Sequence, residues 1–160
     1  MAERSHQNAV QRWFADLWSK GDLDTADQII APDYAPEWIQ IAASGPEQVK
    51  HEVRYFRAVF PDLHYEIVDT AAQDNKIWVR YRASGTHTGA AWGFDPTGRQ
   101  ATFEGVTIFS LGPEGKIVDR WGSFCFYDIL SELDLVPPFW ELSKTLSSRH
   151  GNSDTINDQE

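Results

Sequence analysis

The sequence predicts an α+β fold in which three helices precede four strands of a curved antiparallel sheet. Apolar residues recur at helical spacing up to residue 60, and from residue 63 they alternate with polar residues. The two patterns occupy separate parts of the chain, which is typical of folds with helices packed on one face of a sheet. We expect the concave side of this sheet to enclose a pocket.

The first two predicted helices are separated and ended by glycine and proline. Over residues 5–20 the apolar side chains form one wide stripe, and Gly21 ends the helix. A shorter amphipathic pattern follows over residues 23–30 and stops at Pro32, because proline cannot continue the backbone hydrogen-bond ladder. The two segments predict a helical hairpin.

The third predicted helix begins at a capping-box pattern. Ser44 and Glu47 are three residues apart, with Pro46 in the first turn. An apolar stripe follows, and the helix is expected to end at Pro61.

Period-two alternation predicts four strands. They cover residues 63–67, 77–83, 101–111 and 116–126. Gly-Pro-Glu-Gly at residues 112–115 is typical of a hairpin turn between the last two.

Towards the end of the chain the strand pattern gives way to a short amphipathic segment and then to polar residues. A short amphipathic segment over residues 139–146 is expected to cover the pocket or the sheet. Residues 147–160 are polar and aperiodic, which predicts a disordered tail. The expected organisation is a single domain over residues 1–146 followed by that tail.

Composition excludes several classes of partner. Of the 160 residues, 14 are Lys or Arg and 24 are Asp or Glu, and this net charge of -10 disfavours nucleic acid and anionic membrane surfaces. No apolar run approaches the roughly 20 residues of a spanning helix. The N-terminus lacks the pattern of a secretion signal, which predicts a cytoplasmic protein. One cysteine and scattered histidines predict no disulfide framework and no metal site.

Large rings are abundant. Seven Trp, nine Phe and five Tyr indicate an aromatic-walled cavity or an apolar subunit interface, with a bulky core as the alternative.

Several stretches together resemble one known family. They are Phe60-Pro61-Asp62-Leu63, Gly85-Thr86-His87-Thr88-Gly89, the glycine-flanked residues 93–99, Gly115-Lys116-Ile117, Trp121 and Leu133-Asp134-Leu135-Val136-Pro137. From Asn8 to Pro137 the chain resembles the SnoaL-like polyketide cyclases of the NTF2-like superfamily. The resemblance implies a cone-shaped α+β barrel and a cofactor-free, dimeric or tetrameric enzyme. It also implies ring closure in a polyketide ester by intramolecular aldol condensation.

The resemblance implies a base four residues after Trp121, where the family has an aspartate. This sequence has Cys125 there, and Asp128 lies three residues further on. Where the family has a histidine shortly after Asp-Tyr, this chain continues past Tyr34 to Glu37 and Trp38.

The expected catalytic residues are Glu37, His87, Cys125 and Asp128. A glutamate against aromatic surface can act as a proton shuttle, and a histidine can exchange a proton near neutral pH. Each has a structural alternative. Glu37 can be a solvated loop carboxylate, His87 a loop hydrogen-bonding group, Cys125 a small buried side chain and Asp128 a helix cap.

The expected pocket is mainly aromatic, with plain core packing as the alternative. Its candidate members are Trp18, Tyr34, Trp38, Phe56, Phe60, Trp92, Phe94, Trp121 and Ser123. Further polar candidates are Arg80 and Arg82, which can hold an anion or pair across the sheet, Glu104 and Thr107 on opposite faces, and Asp119.

These observations predict a cofactor-independent enzyme that cyclises, isomerises, hydrates or dehydrates a hydrophobic carbonyl compound of secondary metabolism. In such an enzyme, side chains of the pocket would transfer the proton. The alternatives are a non-catalytic small-molecule binding or partner protein and a structural interaction module. We expect a homo-oligomer in each case.

Overall fold

The computed structural model describes residues 2–36, 43–90 and 92–142 together with Lys144. Its helical segments are α1 (Ala2–Arg12), a π-helix (Trp13–Lys20), α2 (Asp24–Ile29), α3 (Gly45–Arg57), α4 (Phe126–Glu132) and a 3-10 turn (Phe139–Glu141). The strands are β1 (His64–Gln73), β2 (Lys76–Thr86), β3 (Gln100–Leu111) and β4 (Ile117–Phe124). The predicted α+β order is therefore confirmed.

The four strands form one antiparallel sheet in the order β1-β2-β3-β4. The core lies between its inner face and the helices before β1. Leu17 of the π-helix, Val49 of α3 and Phe109 of β3 are fully buried there. The alternation of buried and exposed residues along β2 and β3 follows the period of two that the sequence predicts.

Bulges interrupt the pairing at two places in the sheet. The register slips between Ile67 and Asp69 in β1, and again next to Leu111, which pairs with Ile117. Because of the second slip, Ile117 and Arg120 are both buried although they are three residues apart. This bulge decides which side chains of β4 face the helices.

The position of the Tyr81 side chain requires glycine at position 105. A Cβ atom there would lie 2.4 Å from the Tyr81 hydroxyl oxygen and 2.8 Å from the Ser123 carbonyl oxygen. Glycine therefore leaves room for the Tyr81 ring on the inner face of the sheet.

Local predictions fail at three places. Ser44 occupies the N-cap position of α3 without a side-chain capping bond, and Glu47 pairs with Lys50 at 2.8 Å. The last strand ends at Phe124, and α4 begins at Phe126 where the sequence pattern extends the strand. In the C-terminal segment Phe139 and Trp140 are exposed rather than laid over the pocket or the sheet.

The predicted tail, residues 147–160, lies outside the described residues. Among the helices that the structure describes, none is long and apolar enough to cross a membrane.

Candidate active site

A small cavity lies between the π-helix, α3 and the inner face of the sheet. Its volume is about 60 Å³. Seven aromatic rings line it, from Trp13, Phe14, Trp18, Phe56, Tyr65, Tyr81 and Phe124. The other lining residues are Glu52, Thr107, Arg120 and Gly122. One carboxylate and one guanidinium group thus meet within an aromatic wall.

The π-helix places three of these rings. A π-helical turn is wider than an α-helical turn, and such turns are frequent at functional sites. Here the Ser19 hydroxyl donates to the Phe14 carbonyl at 2.7 Å and accepts the Tyr65 backbone N–H at 2.9 Å. Trp13 and Trp18, five residues apart, lie on the same side with ring centroids 6.1 Å apart.

Arg120 is the buried cation of the cavity. Its Nε donates to the Tyr34 hydroxyl at 3.0 Å, and its Nη2 donates to Glu52 Oε2 at 2.5 Å. The guanidinium carbon lies 4.9 Å from the centre of the Trp13 ring, a cation–π contact. Because a buried cation must be paired, these contacts fix Arg120 against Glu52.

Glu52 is the buried carboxylate of the cavity, with 11% of its side chain exposed. Burial raises the pKa of Glu52, and the charge and hydrogen bond of Arg120 oppose that rise. While Oε2 accepts from Arg120, Oε1 is buried without a hydrogen-bond partner among the described residues. Because a buried carboxylate oxygen without a hydrogen bond is costly, this oxygen needs a donor from outside the described residues.

Other polar groups of the wall are kept neutral. Burial raises the pKa of Tyr81 to about 12 and raises that of Tyr65 well above its ordinary value. Both phenols are therefore uncharged at neutral pH. The indole Nε1 of Trp18 is buried and, within the described part of the chain, has no hydrogen-bond acceptor.

Metal-ligand geometry does not arise among these groups. Within the ranges that the structure describes, no three histidine, cysteine or acidic side chains come close enough together to hold an ion.

The structure places the predicted aromatic residues in different surroundings. Trp18 and Phe56 line the cavity. Tyr34 and Phe60 are fully buried next to it, where the Tyr34 hydroxyl meets Arg120 and Phe60 packs on Trp92.

The loop between β2 and β3 carries two more of the predicted aromatic residues. The Trp92 ring contacts Phe56 and Phe126, with centroids 5.2 Å and 4.9 Å apart, at one side of the cavity wall. Phe94, two residues on, is half-buried.

The last strand presents the opposite face from the predicted one. Trp121 and Ser123 share one phase and are exposed on the outer side, and Cys125, which follows the end of β4, is exposed as well. The inward side chains are Arg120 and Phe124, because the bulge shifts the phase of β4. The expectation that Trp121 and Ser123 line the cavity is corrected accordingly, and the Cys125 thiol lies outside it.

The acidic candidates near this strand are also exposed. Asp119 shares the outward phase of Trp121, and Asp128 lies in the first turn of α4. Neither lines the cavity.

His87 is buried in the loop that follows β2. Its Nδ1 lies 3.2 Å from the Thr97 hydroxyl oxygen, and its backbone bonds to Gly98 and Arg99. These contacts join the two ends of the loop over residues 87–99. Such a geometry matches the structural alternative considered for this residue.

The polar residues of β2 and β3 lie on opposite faces of the sheet, according to their position along the strand. Thr107 faces the cavity, whereas Glu104 faces outward. Arg82 pairs with Glu104 at 2.8 Å, and Arg80 lies 3.6 Å from the same carboxylate. The two arginines thus make cross-strand pairs. Glu37 and Trp38 lie outside the described residues.

Sequence reasoning missed Glu52 and Arg120. Glu52 lies three residues after Val49 and four before Phe56 in the stripe of α3, so helical spacing could have placed it at the edge of the buried face. Arg120 had no comparable signal, because the bulge in β4 changes the phase.

Comparison with known proteins gives the family and the fold. The family model for SnoaL-like polyketide cyclase matches residues 8–133. Among curated proteins, no sequence matches this chain.

Solved structures match over most of the chain. TsrD from Streptomyces laurentii is 20% identical with a TM-score of 0.75, covering 83% of this chain and 97% of that one. AclR from Streptomyces galilaeus is 20% identical with a TM-score of 0.72, covering 95% and 98%. A SnoaL-like polyketide cyclase from Agrobacterium tumefaciens is 15% identical with a TM-score of 0.64, covering 79% and 96%. With its NTF2-like cone-shaped fold and a family match over most of its length, this chain belongs to the SnoaL-like polyketide cyclase family.

Proposed function

We propose that this protein is an acid–base enzyme in which Glu52 moves a proton at the carbon next to a carbonyl group. The substrate is a hydrophobic carbonyl compound whose reacting end enters the aromatic cavity. The observation that carries the proposal is the free Oε1 atom of a buried carboxylate whose other oxygen is held by Arg120.

The state of Glu52 suits a general base. Burial raises the pKa of the carboxyl group, which makes the carboxylate a stronger base, while the charge and hydrogen bond of Arg120 favour its ionised form. Tyr34 holds Arg120 from the other side, so the orientation of Glu52 is set before a ligand arrives. The role is a proton transfer between Oε1 and a carbon that faces it.

The reaction that follows is balanced without an oxidant or reductant. Glu52 Oε1 takes the proton, and the electron pair of the C–H bond becomes part of an enolate. If the enolate carbon attacks a second carbonyl carbon of the same molecule, a C–C bond forms and the new alkoxide takes a proton back. The product has the mass of the substrate, as an intramolecular aldol cyclisation requires.

The volume of the cavity limits what enters it. At about 60 Å³ it is less than half the roughly 150 Å³ of an apolar cavity that holds benzene. We therefore propose that only the reacting end of a larger substrate lies between the walls. The rest of the molecule would extend outside the cavity.

Exchange of the protons next to a carbonyl tests the proposal without knowledge of the natural substrate. Butanone is incubated with the protein in D2O, and loss of its α-proton signals is followed by NMR. We expect the Glu52→Gln variant to exchange at least about 100-fold more slowly than the wild type, since a positioned base contributes about 10²–10⁴-fold.

Glu47→Gln is the matched control, because Glu47 lies on the same helix with 64% of its side chain exposed. We expect its exchange rate to equal that of the wild type. Equal rates in wild type and Glu52→Gln would overturn the proposal. Saturable binding of ketones without any exchange would favour a binding protein instead.

A further inference from the structure

Two residues of the cavity wall carry buried polar atoms that are complementary in their chemistry. The indole Nε1 of Trp18 can only donate a hydrogen bond, and an ionised carboxylate oxygen can only accept one. Neither Trp18 Nε1 nor Glu52 Oε1 has a partner among the described residues, and both residues line the cavity. Native proteins rarely leave such groups buried and unsatisfied, so each needs an explanation.

We infer that Trp18 Nε1 and Glu52 Oε1 together hold the reacting group of the substrate, a carbonyl unit about the size of an acetyl group. The indole N–H donates to the carbonyl oxygen while the carboxylate faces the neighbouring C–H. This inference rests on the proposed function, and it adds a second catalytic residue and a size limit on the reacting group.

Trp18 is a preorganised donor. Its ring packs edge-on against Phe56 and Tyr65, with centroids 5.7 Å and 5.6 Å apart, and 5% of the residue is exposed. An indole cannot rotate its N–H as a hydroxyl rotates its O–H. The direction of the donor is therefore set by packing before a ligand binds.

Arg120 has a different task in the same cavity. Its Nε and Nη2 donate to Tyr34 and Glu52, and these contacts hold the base. We assign the charge that develops on the substrate oxygen during proton removal to the indole N–H, the buried donor of this wall that has no acceptor among the described residues. A donor of this kind is stronger in the transition state than in the ground state, because the oxygen becomes more negative.

Size fixes the class of reacting group. A cavity of about 60 Å³ has room for a few heavy atoms between its rings. A methyl ketone fits this description, since its carbonyl oxygen and its small α-carbon group are bonded to the same carbon atom. Butanone is therefore a suitable probe.

The first test observes the indole directly. Protein with ¹⁵N-labelled tryptophan is titrated with butanone, and the Nε1–H signal of Trp18 is identified by NOEs to the Phe56 and Tyr65 rings. We expect this signal to move downfield and saturate, whereas that of the exposed Trp140 stays in place. A Trp18 signal that does not respond to butanone would overturn the inference.

The second test separates this inference from the proposed function. In the butanone exchange assay we expect Trp18→Phe to lower the rate about 100- to 1000-fold and Trp140→Phe to leave it unchanged, since an oxyanion donor is typically worth about 10²–10³-fold. Full activity of Trp18→Phe, with exchange still lost in Glu52→Gln, would overturn this inference alone. A downfield indole shift with full activity of Glu52→Gln would overturn the proposed function and leave carbonyl binding by Trp18 in place.

Discussion

At the scale of single residues, the charge of Glu52 depends on Arg120. The two side chains are 11% and 9% exposed, and neither charge could stay buried without the other. Burial raises the pKa of the Glu52 carboxyl group, and Arg120 is the largest influence in the opposite direction. Removal of Arg120 should therefore raise this pKa further.

Replacement of Arg120 by leucine should destabilise the protein in a pH-dependent way. We expect a loss of about 3–5 kcal/mol in the free energy of unfolding at pH 7, because Glu52 would stay buried without its charged partner. A carboxyl group whose pKa is raised on folding keeps its proton in the native state. Stability is then full below the unfolded pKa and falls as the pH rises through the folded one. The loss should therefore be smaller at pH 5 than at pH 7, as urea unfolding can measure.

The double variant Glu52→Gln, Arg120→Leu supplies the control for this prediction. It carries no buried charge at this position, so we expect its stability to change less with pH than that of Arg120→Leu. If Arg120→Leu lost the same free energy at both pH values, the dependence of Glu52 on Arg120 would be wrong.

At the scale of elements, the end of the π-helix is held by one arginine of α3. Arg57 Nη1 donates to the carbonyl oxygens of Trp18 at 3.1 Å, Ser19 at 2.9 Å and Leu63 at 3.2 Å, and Nη2 donates to that of Pro61 at 2.6 Å. Since the last carbonyls of a helix have no partner within it, a cation there satisfies them. Arg57 thus connects the segment that carries Trp18 to the start of the sheet.

Replacement of Arg57 by leucine should loosen this connection. We expect the free energy of unfolding to fall by roughly 3 kcal/mol. The hydrogen bonds from a charged donor are lost, and several carbonyl groups are left without a hydrogen-bond donor. Arg54→Leu, an exposed arginine one turn earlier on α3, should stay within about 0.5 kcal/mol of the wild type. Equal urea midpoints for the two variants would contradict the assigned role of Arg57.

Prediction from sequence succeeded where the apolar residues keep one regular spacing along a whole helix or strand. The stripe of Trp13, Phe14, Leu17 and Trp18 predicted the buried face of the first helix, and each of these residues is at most 5% exposed. The same pattern did not reveal that this part is a π-helix, since a wider turn leaves the apolar positions similar.

The candidate site was predicted less well because its polar residues depend on local breaks in periodicity. In β4 a one-residue bulge turns Arg120 inward and Trp121 outward, and pairing with β3 rather than composition sets the position of that bulge. Trp18 and Phe56 were found through their apolar character. Glu52 lies beside them on α3 but was overlooked because charged residues at the edge of a stripe are usually solvated.

At the scale of the whole molecule, the outer face of the sheet carries an apolar row across three strands. Trp78 pairs with Ile108, which pairs with Trp121, and Trp121 is 50% exposed. Arg82 and Glu104 lie on the same face. A face with apolar side chains and both signs of charge can meet a copy of itself related by a two-fold axis.

We therefore expect the protein to form a dimer through this face, and Trp121→Glu should convert it to a monomer. The substitution puts a carboxylate in the apolar row, and in a two-fold interface the change occurs twice. Sedimentation velocity over a range of protein concentrations measures the outcome.

Trp140→Glu is the matched control, because Trp140 is 77% exposed on the 3-10 turn near the C-terminus. This substitution should leave the dimer intact. A wild-type protein that sediments as a monomer at every concentration, or a Trp121→Glu variant that remains dimeric, would show that the outer face is not the interface. Since Trp121 and the cavity lie on opposite sides of the sheet, the monomeric variant should still exchange the α-protons of butanone if each chain holds a complete site.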